Sequence, residues 1–234
     1  MAAGKLPPFI HRRNEMDRYI RVTGRSRLSL APDTTVLNMN ISGECSDYRE
    51  TIKMASEKSA SVKAIFTGLG FDPEDVKTGS FNISDRYESY RDENGEYRQR
   101  FAGYRFDHQM SVSFSIENEL LGRCLASLAS CEADPEFHIA YTVKNRDGVR
   151  DELLKAALAD ARERAEVLAA AGGVDLDRLV SVDSSEIGSD LTVRPMSLRM
   201  AKMNDAVAEE SFTMDITPAD VNADCSLVAV WSIR

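Results

Sequence analysis

The methionines between residues 196 and 203 are the side chains whose type and spacing best suit a defined chemistry. Met196, Met200 and Met203 are spaced so that their thioethers can share one face of a short helix. Thioether sulfur is a soft ligand that suits Cu(I), which gives one hypothesis, a small-ligand or soft-metal binding protein. Methionine also adapts to irregular partners, so a contact surface for another subunit is the favoured hypothesis. A loop without regular structure is the third. The basic residues beside the methionines are Arg194, Arg199 and Lys202.

The histidines and serines do not form a recognisable catalytic set. His11, His108 and His138 are few and far apart in the sequence, and no serine lies in a nucleophile elbow. The strand pattern predicts His108 on an inner face opposite Phe81, which is typical of a core histidine with hydrogen-bond partners. We therefore assign no catalytic residue and no cofactor, and the protein is predicted not to be an enzyme.

Two short motifs resemble ligand loops only in part. Gly68-Leu69-Gly70 lacks the remaining glycine of a phosphate loop, and it is predicted to end a helix instead. Asp72, Glu74 and Asp75 lack the ordered spacing and the terminal bidentate acid of a calcium loop. We interpret this acidic stretch as a solvated connection.

The four cysteines lack the paired spacing of a zinc site. They are predicted to be free thiols that pack as small apolar side chains in a reducing compartment, and no metal ligand is assigned. They are Cys45, Cys124, Cys131 and Cys225.

Charge and hydropathy limit the partners and the compartment. The 234-residue chain has a formal net charge of −9, which opposes nucleic-acid binding. Residues 1–17 are predicted to be a flexible tail. No apolar run of signal-peptide or membrane-span length is seen, so a cytoplasmic protein without a membrane span is expected. One basic cluster is the exception, and it is interpreted as a tail followed by the outer face of a strand: Arg12, Arg13, Arg18, Arg21, Arg25 and Arg27.

The hydrophobic pattern predicts an α+β fold in which antiparallel hairpins alternate with helices packed on sheet faces. Residues 18–30 and 34–43 alternate as a first hairpin, and Asp47 with Glu50 forms a capping box for the next helix. Ile52, Ala55, Val62, Ile65 and Leu69 form the apolar face of that helix. Asn118 is predicted to cap a short helix.

Residues 18–234 are predicted to form one domain. The longest helix covers residues 149–171, and its stripe includes Leu153, Ala157 and Leu168. The hydrophobic periodicity is lost over about residues 188–210, which are predicted to be irregular, and strands are predicted at 211–216 and 225–233.

Asn94-Gly95 is the strongest hairpin signal, because a two-residue turn of this type needs positive φ at both positions. Pairing Glu93 with Glu96 places Ile83 opposite Phe106 and Tyr87 opposite Ala102, and it places Arg91 opposite Arg98. Because like charges then face each other near the tip, the outer end is expected to open into a longer loop. This hairpin is predicted to be long and to protrude. The aromatic residues along it are Tyr87, Tyr90, Tyr97, Phe101 and Tyr104.

The length and aromatic content of this hairpin lead to the hypothesis of a homo-oligomer. Tyrosine offers large contact area at low entropy cost and is enriched at interfaces. The alternative is a hairpin that folds back over its own domain and hides the same tyrosines.

A set of short motifs resembles the SIMPL-domain family over about residues 19–234. The N-terminal matches are Val22-Thr23-Gly24, Ala31-Pro32-Asp33 and Gly70-Phe71 with Asp75-Val76-Lys77-Thr78. Later matches are Gly103-Tyr104-Arg105, Ala156-Ala157 with Asp160-Ala161-Arg162 and Ala165, Gly173-Val174, Arg194-Pro195-Met196 with Met200, and Thr217-Pro218.

The resemblance implies a domain without an established reaction, so it contributes no catalytic residue. It implies relatives that are periplasmic or outer-membrane immunogenic proteins and a kinase-associated protein, with links to stress and to oligomeric assemblies. This sequence shows no export signal where many bacterial members carry one. Together with the long hairpin and the segment of methionine and arginine residues, this resemblance leads us to expect a non-enzymatic, self-associating structural or protein-interaction module.

Overall fold

The computed structural model describes residues 18–184, 192–196 and 216–234, and for residues 192–196 it describes the backbone alone. These ranges contain two antiparallel sheets and three helices, which confirms the α+β class. The elements in chain order are β1 Tyr19–Leu30, β2 Thr34–Cys45, α1 Tyr48–Gly68, β3 Lys77–Arg91, β4 Tyr97–Ser115, α2 Asn118–Ala129, β5 Glu136–Thr142, α3 Arg146–Ala171, β6 Leu176–Asp183, β7 Thr192–Met196 and β8 Val221–Ile233.

The described residues fall into two compact units, each assembled from separate stretches of chain. The first comprises residues 18–28, 147–184 and 223–234. The second comprises residues 29–146, 192–196 and 216–222.

The first unit is a sheet of strand order β1-β8-β6 together with helix α3. A stripe of small residues lets the helix approach the sheet closely, because a Cβ on Gly24 of β1 would lie 2.6 Å from the Cβ of Ala161. Leu153 is buried with this stripe, as predicted, whereas the predicted member Leu168 is about half exposed. The buried alanines of the stripe are Ala157, Ala161, Ala165 and Ala169.

The second unit is a sheet of strand order β3-β4-β2-β5-β7 with helices α1 and α2 against its core. Alternate residues of β2 and β4 point into this core, as the period of a strand requires. Residues of both helices complete the cluster. Its fully buried side chains include Leu37, Ile41, Val62, Phe66, Phe106, Leu121 and Leu128.

The predicted helix α1 is confirmed, but its details differ. The Asp47 carboxylate accepts hydrogen bonds from the amides of Arg49 at 2.8 Å and Glu50 at 3.1 Å. Glu50 does not reach back as a capping box requires, because its carboxylate accepts from the Cys45 thiol at 3.2 Å. Ile52 is exposed, and Thr51 occupies the buried position of that turn instead.

Three other element predictions need correction. Glu117, rather than Asn118, is the residue before α2, and it makes no side-chain capping bond. The segment predicted to be irregular contains β7, which pairs with β5 and places Met196 beside Ile139. The three methionines therefore do not share a short helix, because Met196 ends a strand; Met200 and Met203 lie outside the described residues.

Strand β8 begins at Val221, earlier than predicted. Residues 211–215 of the strand predicted before it lie outside the described ranges, as do residues 1–17 and the side chains of residues 192–196.

Candidate interaction surface

Strands β3 and β4 remain paired with each other beyond the point where the neighbouring strand β2 ends. Strand β2 pairs with β4 only as far as Cys45 and Tyr104. Beyond this point β3 and β4 continue as a pair alone within the described part of the chain, from Tyr87 opposite Phe101 to Arg91 opposite Tyr97. We call residues 87–101 the ribbon. It is the protruding hairpin that the sequence predicted.

A bulge marks the base of the ribbon. The predicted pairs of Ile83 with Phe106 and of Phe81 with His108 are confirmed. Tyr87, however, lies opposite Phe101 rather than Ala102, because the register shifts beside Gly103. Gly103 has φ +124°, and a Cβ there would lie 2.3 Å from the carbonyl oxygen of Cys45. Only glycine fits this bulge, where β4 departs from β2.

The tip of the ribbon is a longer turn than a two-residue hairpin, as expected from the like charges that such a hairpin would place opposite each other. Gly95 has φ +81° and its amide donates to the Asp92 carbonyl at 2.9 Å, whereas Asn94 does not adopt positive φ. The Asp92 carboxylate accepts from the amides of Asn94 and Glu96, each at 3.0 Å. Arg91 consequently faces Tyr97, so the like-charged pairs of Arg91 with Arg98 and of Glu93 with Glu96 do not form.

One face of the ribbon is aromatic. Tyr87 and Phe101 contact edge to face with ring centroids 6.0 Å apart, and Phe101 contacts Tyr104 at 5.2 Å. Tyr104 in turn contacts Tyr48, the first residue of α1, at 5.2 Å. Tyr87 is 56% exposed and Phe101 is 50% exposed. We call these four residues the aromatic face; it continues onto the helix-covered side of the sheet.

The opposite side of the ribbon is charged and internally paired. Arg86 contacts Glu44 and Glu88, each at 2.8 Å, and Arg100 contacts Glu88 at 3.3 Å. The hydrogen bonds from Arg100 and then Arg86 lower the pKa of the Glu88 carboxyl. Tyr90 lies on this side, with the Arg100 guanidinium 5.9 Å from its ring. We call this side the charged face. Its charges already have partners within the same chain.

His108 is a core histidine with partners on both ring nitrogens, as predicted. Its Nδ1 lies 2.7 Å from the Ser59 hydroxyl and its Nε2 lies 3.2 Å from the Thr78 hydroxyl. The Ser59 hydroxyl donates to the Ala55 carbonyl at 2.6 Å, so we assign the ring proton to Nδ1. The Ser59 hydroxyl oxygen therefore accepts a hydrogen bond from His108, whereas a serine nucleophile must donate one to its base. Burial lowers the pKa of His108.

The other candidate residues are dispersed. His138 is exposed on β5 and His11 lies outside the described residues. Gly70 has φ +94° after α1, as a helix end requires, and the acidic stretch is exposed. Within the described ranges no cluster of histidine, cysteine or acidic side chains could hold a metal ion.

The cysteines and the basic cluster match their predicted environments in part. Cys124 and Cys225 are buried, Cys45 and Cys131 are partly exposed, and all four are free thiols. Burial raises the pKa of the Cys124 thiol to about 11. Arg12 and Arg13 lie outside the described residues, and the other arginines of the cluster are exposed on or beside β1.

Sequence reasoning missed the participation of Tyr48 in the aromatic face. The pairing of Tyr104 with Cys45 brings Tyr104 near Tyr48, but this is a pair of β2 with β4 that the register of the β3–β4 hairpin does not determine. The sequence also gave no indication that the two ribbon faces would differ, because the bulge at Gly103 sets which residues share a face.

These features define an α+β protein whose most distinctive exposed feature is an amphipathic ribbon. The SIMPL family model, described as protein of unknown function (DUF541), matches residues 20–231, so the chain belongs to the SIMPL family. Within the described residues, no helix combines the length and apolarity needed to cross a membrane.

Two relatives are called "26 kDa periplasmic immunogenic protein", from Brucella melitensis and Brucella abortus. Each is 26% identical over 205 residues, which cover 86% of this chain and 79% of the relative. Their names contradict the cytoplasmic location expected from the sequence. That expectation rested on the absence of an apolar run, which does not fix a compartment.

Proposed function

We propose that this protein is a non-enzymatic, self-associating interaction module of the periplasm, and that the aromatic face of the ribbon is its self-association surface. The observation that carries the proposal is the pair Tyr87 and Phe101, which lie half exposed on a two-stranded extension. Burying large apolar side chains is the main driving force of association. The periplasmic location rests on the names of the two relatives.

The distribution of charge favours a second copy of this chain as the occupant. Copies with a net charge of −9 repel one another. A contact between two copies is therefore least opposed through a surface that carries no charge. The four aromatic residues supply such a surface, and Glu44 and Glu88 beside them pair with arginines on the charged face.

One double variant and one single control variant test the proposal, with the mass of each measured by light scattering at micromolar protein concentration. The wild-type protein is expected to show a mass above that of one chain. Replacing Tyr87 and Phe101 together with serine should return the mass to one chain, because it removes the apolar area of the contact. Tyr90→Ser is the matched control, because Tyr90 lies on the charged face of the same ribbon. A single-chain mass for the wild type, or equal loss in both variants, would contradict the proposal.

The fold of each variant is checked by its unfolding midpoint in urea. Both sites are on the outer ribbon, away from the core cluster, so the midpoints should match that of the wild type. A variant whose midpoint drops sharply would show that the ribbon supports the fold.

A further inference from the structure

Strand β1 ends its sheet within the described part of the chain, and its backbone direction can be read from two hydrogen bonds. The amide of Ile233 in β8 donates to the carbonyl of Arg18 at 3.1 Å. The amide of Arg25 donates away from β8, to the Asp160 carboxylate at 2.8 Å. Because backbone groups alternate in direction along a strand, Arg21 and Thr23 also point their N–H and C=O groups away from β8. Among the residues that the structure describes, no strand pairs with Arg21 and Thr23 on this side, so they form an open sheet edge.

A groove of about 570 Å³ runs along this edge, between β1 and α3 of the same unit. Val22 and Thr23 line it from the strand. The helix lines it with the apolar Val167 and Leu168 and with the charged Asp160, Glu163 and Arg164. Val167 is 64% exposed and Leu168 is 51% exposed. Apolar side chains beside an open edge are the features that bind an added strand.

The other face of β1 carries a row of arginines. Val22 and Gly24 face α3, so the side chains of Arg21, Arg25 and Arg27 project from the opposite face. Neighbouring positions in such a row are about 7 Å apart. Among the residues the structure describes, neither Arg21 nor Arg27 forms an ion pair with a carboxylate. This row is a concentrated positive charge on an acidic protein.

The same row disfavours a second copy of β1 as the added strand. In a pair of antiparallel β1 strands, the arginines of one copy lie opposite or diagonal to those of the other. Like charges at these positions are destabilising. The chemistry of the edge therefore selects a different strand, one with acidic side chains on the arginine face and apolar side chains on the groove face.

From this geometry we infer that β1 binds an extended peptide segment of another protein by strand addition, and that the segment alternates acidic and apolar residues. Backbone hydrogen bonds to Thr23 and Arg21 supply the pairing. Carboxylates of the segment lie beside Arg21 and reach diagonally to Arg25. Its apolar side chains fill the groove against Val167 and Leu168.

The probe is a fluorescently labelled, blocked peptide, Glu-Val-Glu-Leu-Glu-Val-Glu, with binding to the full chain measured by anisotropy. A peptide of the same composition without the alternation is the control for charge alone. The wild-type protein is expected to bind the alternating peptide at least about tenfold more tightly. Equal binding of both peptides, or a flat titration at millimolar peptide, overturns the inference. So does preferential binding of a labelled single-stranded oligonucleotide, which assigns the arginines to nucleic acid instead.

Variants separate the backbone, charge and apolar parts of the site. Thr23→Pro removes the outward N–H at an edge where proline is tolerated, and it should abolish binding, whereas Thr23→Val should retain it. Changing Arg21 and Arg25 together to glutamate should weaken binding at least about tenfold. Arg178→Glu is the charge control, because Arg178 is exposed on β6 at the other end of the sheet. An effect of Arg178→Glu equal to that of the double variant overturns the site.

If Thr23→Pro fails to fold, Leu168→Asp provides the same test from the helix, where the side chain is half exposed. Leu168→Asp should weaken binding while the unfolding midpoint in urea stays near that of the wild type. Unchanged peptide binding in Leu168→Asp would contradict the assignment of the groove as the binding site for the apolar side chains.

Discussion

Phe106 and Phe101 lie on the same strand, yet Phe106 is fully buried and Phe101 is half exposed. Ile83 and His108 accompany Phe106 in the inner part of the hairpin, where α1 covers the strands. Tyr87 accompanies Phe101 in the ribbon, where the described residues supply no covering helix. The difference shows that aromatic content alone does not decide burial. The end of β2 at Cys45 divides a segment that builds the core from a segment that the described residues leave partly uncovered.

The sharpest test of this division compares one phenylalanine from each part. Phe106→Ala should lower the free energy of unfolding by about 3–5 kcal/mol, because it opens a cavity in a packed core. Phe101→Ala should lower it by less than about 1 kcal/mol, because its side chain already contacts water. Urea titrations at matched protein concentration measure both. Similar losses in the two variants would remove the distinction between the parts.

The boundary itself can be tested at Gly103. Gly103→Ala should cost about 1–3 kcal/mol, because alanine is strained at φ +124° and its Cβ meets the Cys45 carbonyl. Gly79→Ala on β3 is the matched control, since its Cβ would be 3.7 Å from the nearest atom, the Gln109 carbonyl oxygen. A Gly103→Ala protein as stable as the Gly79→Ala protein would show that the bulge is not required.

The inner part should also respond to pH through His108. Burial lowers the pKa of His108 in the folded protein, so the unfolded chain takes up a proton first as the pH falls. The stability is therefore full above about pH 6.5 and decreases as the pH drops from there through the folded pKa. His108→Gln should reduce the change in the urea midpoint between about pH 7 and about pH 5. His138→Gln, at an exposed position, should leave that change as in the wild type. Identical pH profiles for these two variants would contradict this role.

The sequence predicted the parts of this molecule that depend on local periodicity. The register of Ile83 with Phe106 followed from matching apolar residues across a hairpin, and the Asp47 cap followed from its position before a helical stripe. The apolar match could not locate the bulge, because one unpaired residue changes every pair beyond it. It therefore placed Tyr87 opposite the wrong residue.

Exposed apolar residues were harder to predict, because a large apolar residue beside the buried face of a helix looks in the sequence like a member of that face. Leu168 was placed in the buried stripe of α3, whereas Ala169 is the buried residue of that turn. The small side chain of alanine carries little hydrophobic signal, although it permits the close approach at Gly24. The groove beside β1 follows from this difference.

The central claim, that the aromatic face is covered when copies associate, is tested most directly by hydroxyl-radical footprinting at a dilute and a concentrated protein condition. Tyr87 and Phe101 should lose reactivity in the concentrated sample, because their rings are buried in the contact. Tyr90, on the charged face of the same ribbon, should keep its reactivity and serves as the internal control. A concentrated sample of higher mass in which Tyr87 and Phe101 react as in the dilute one would contradict the account.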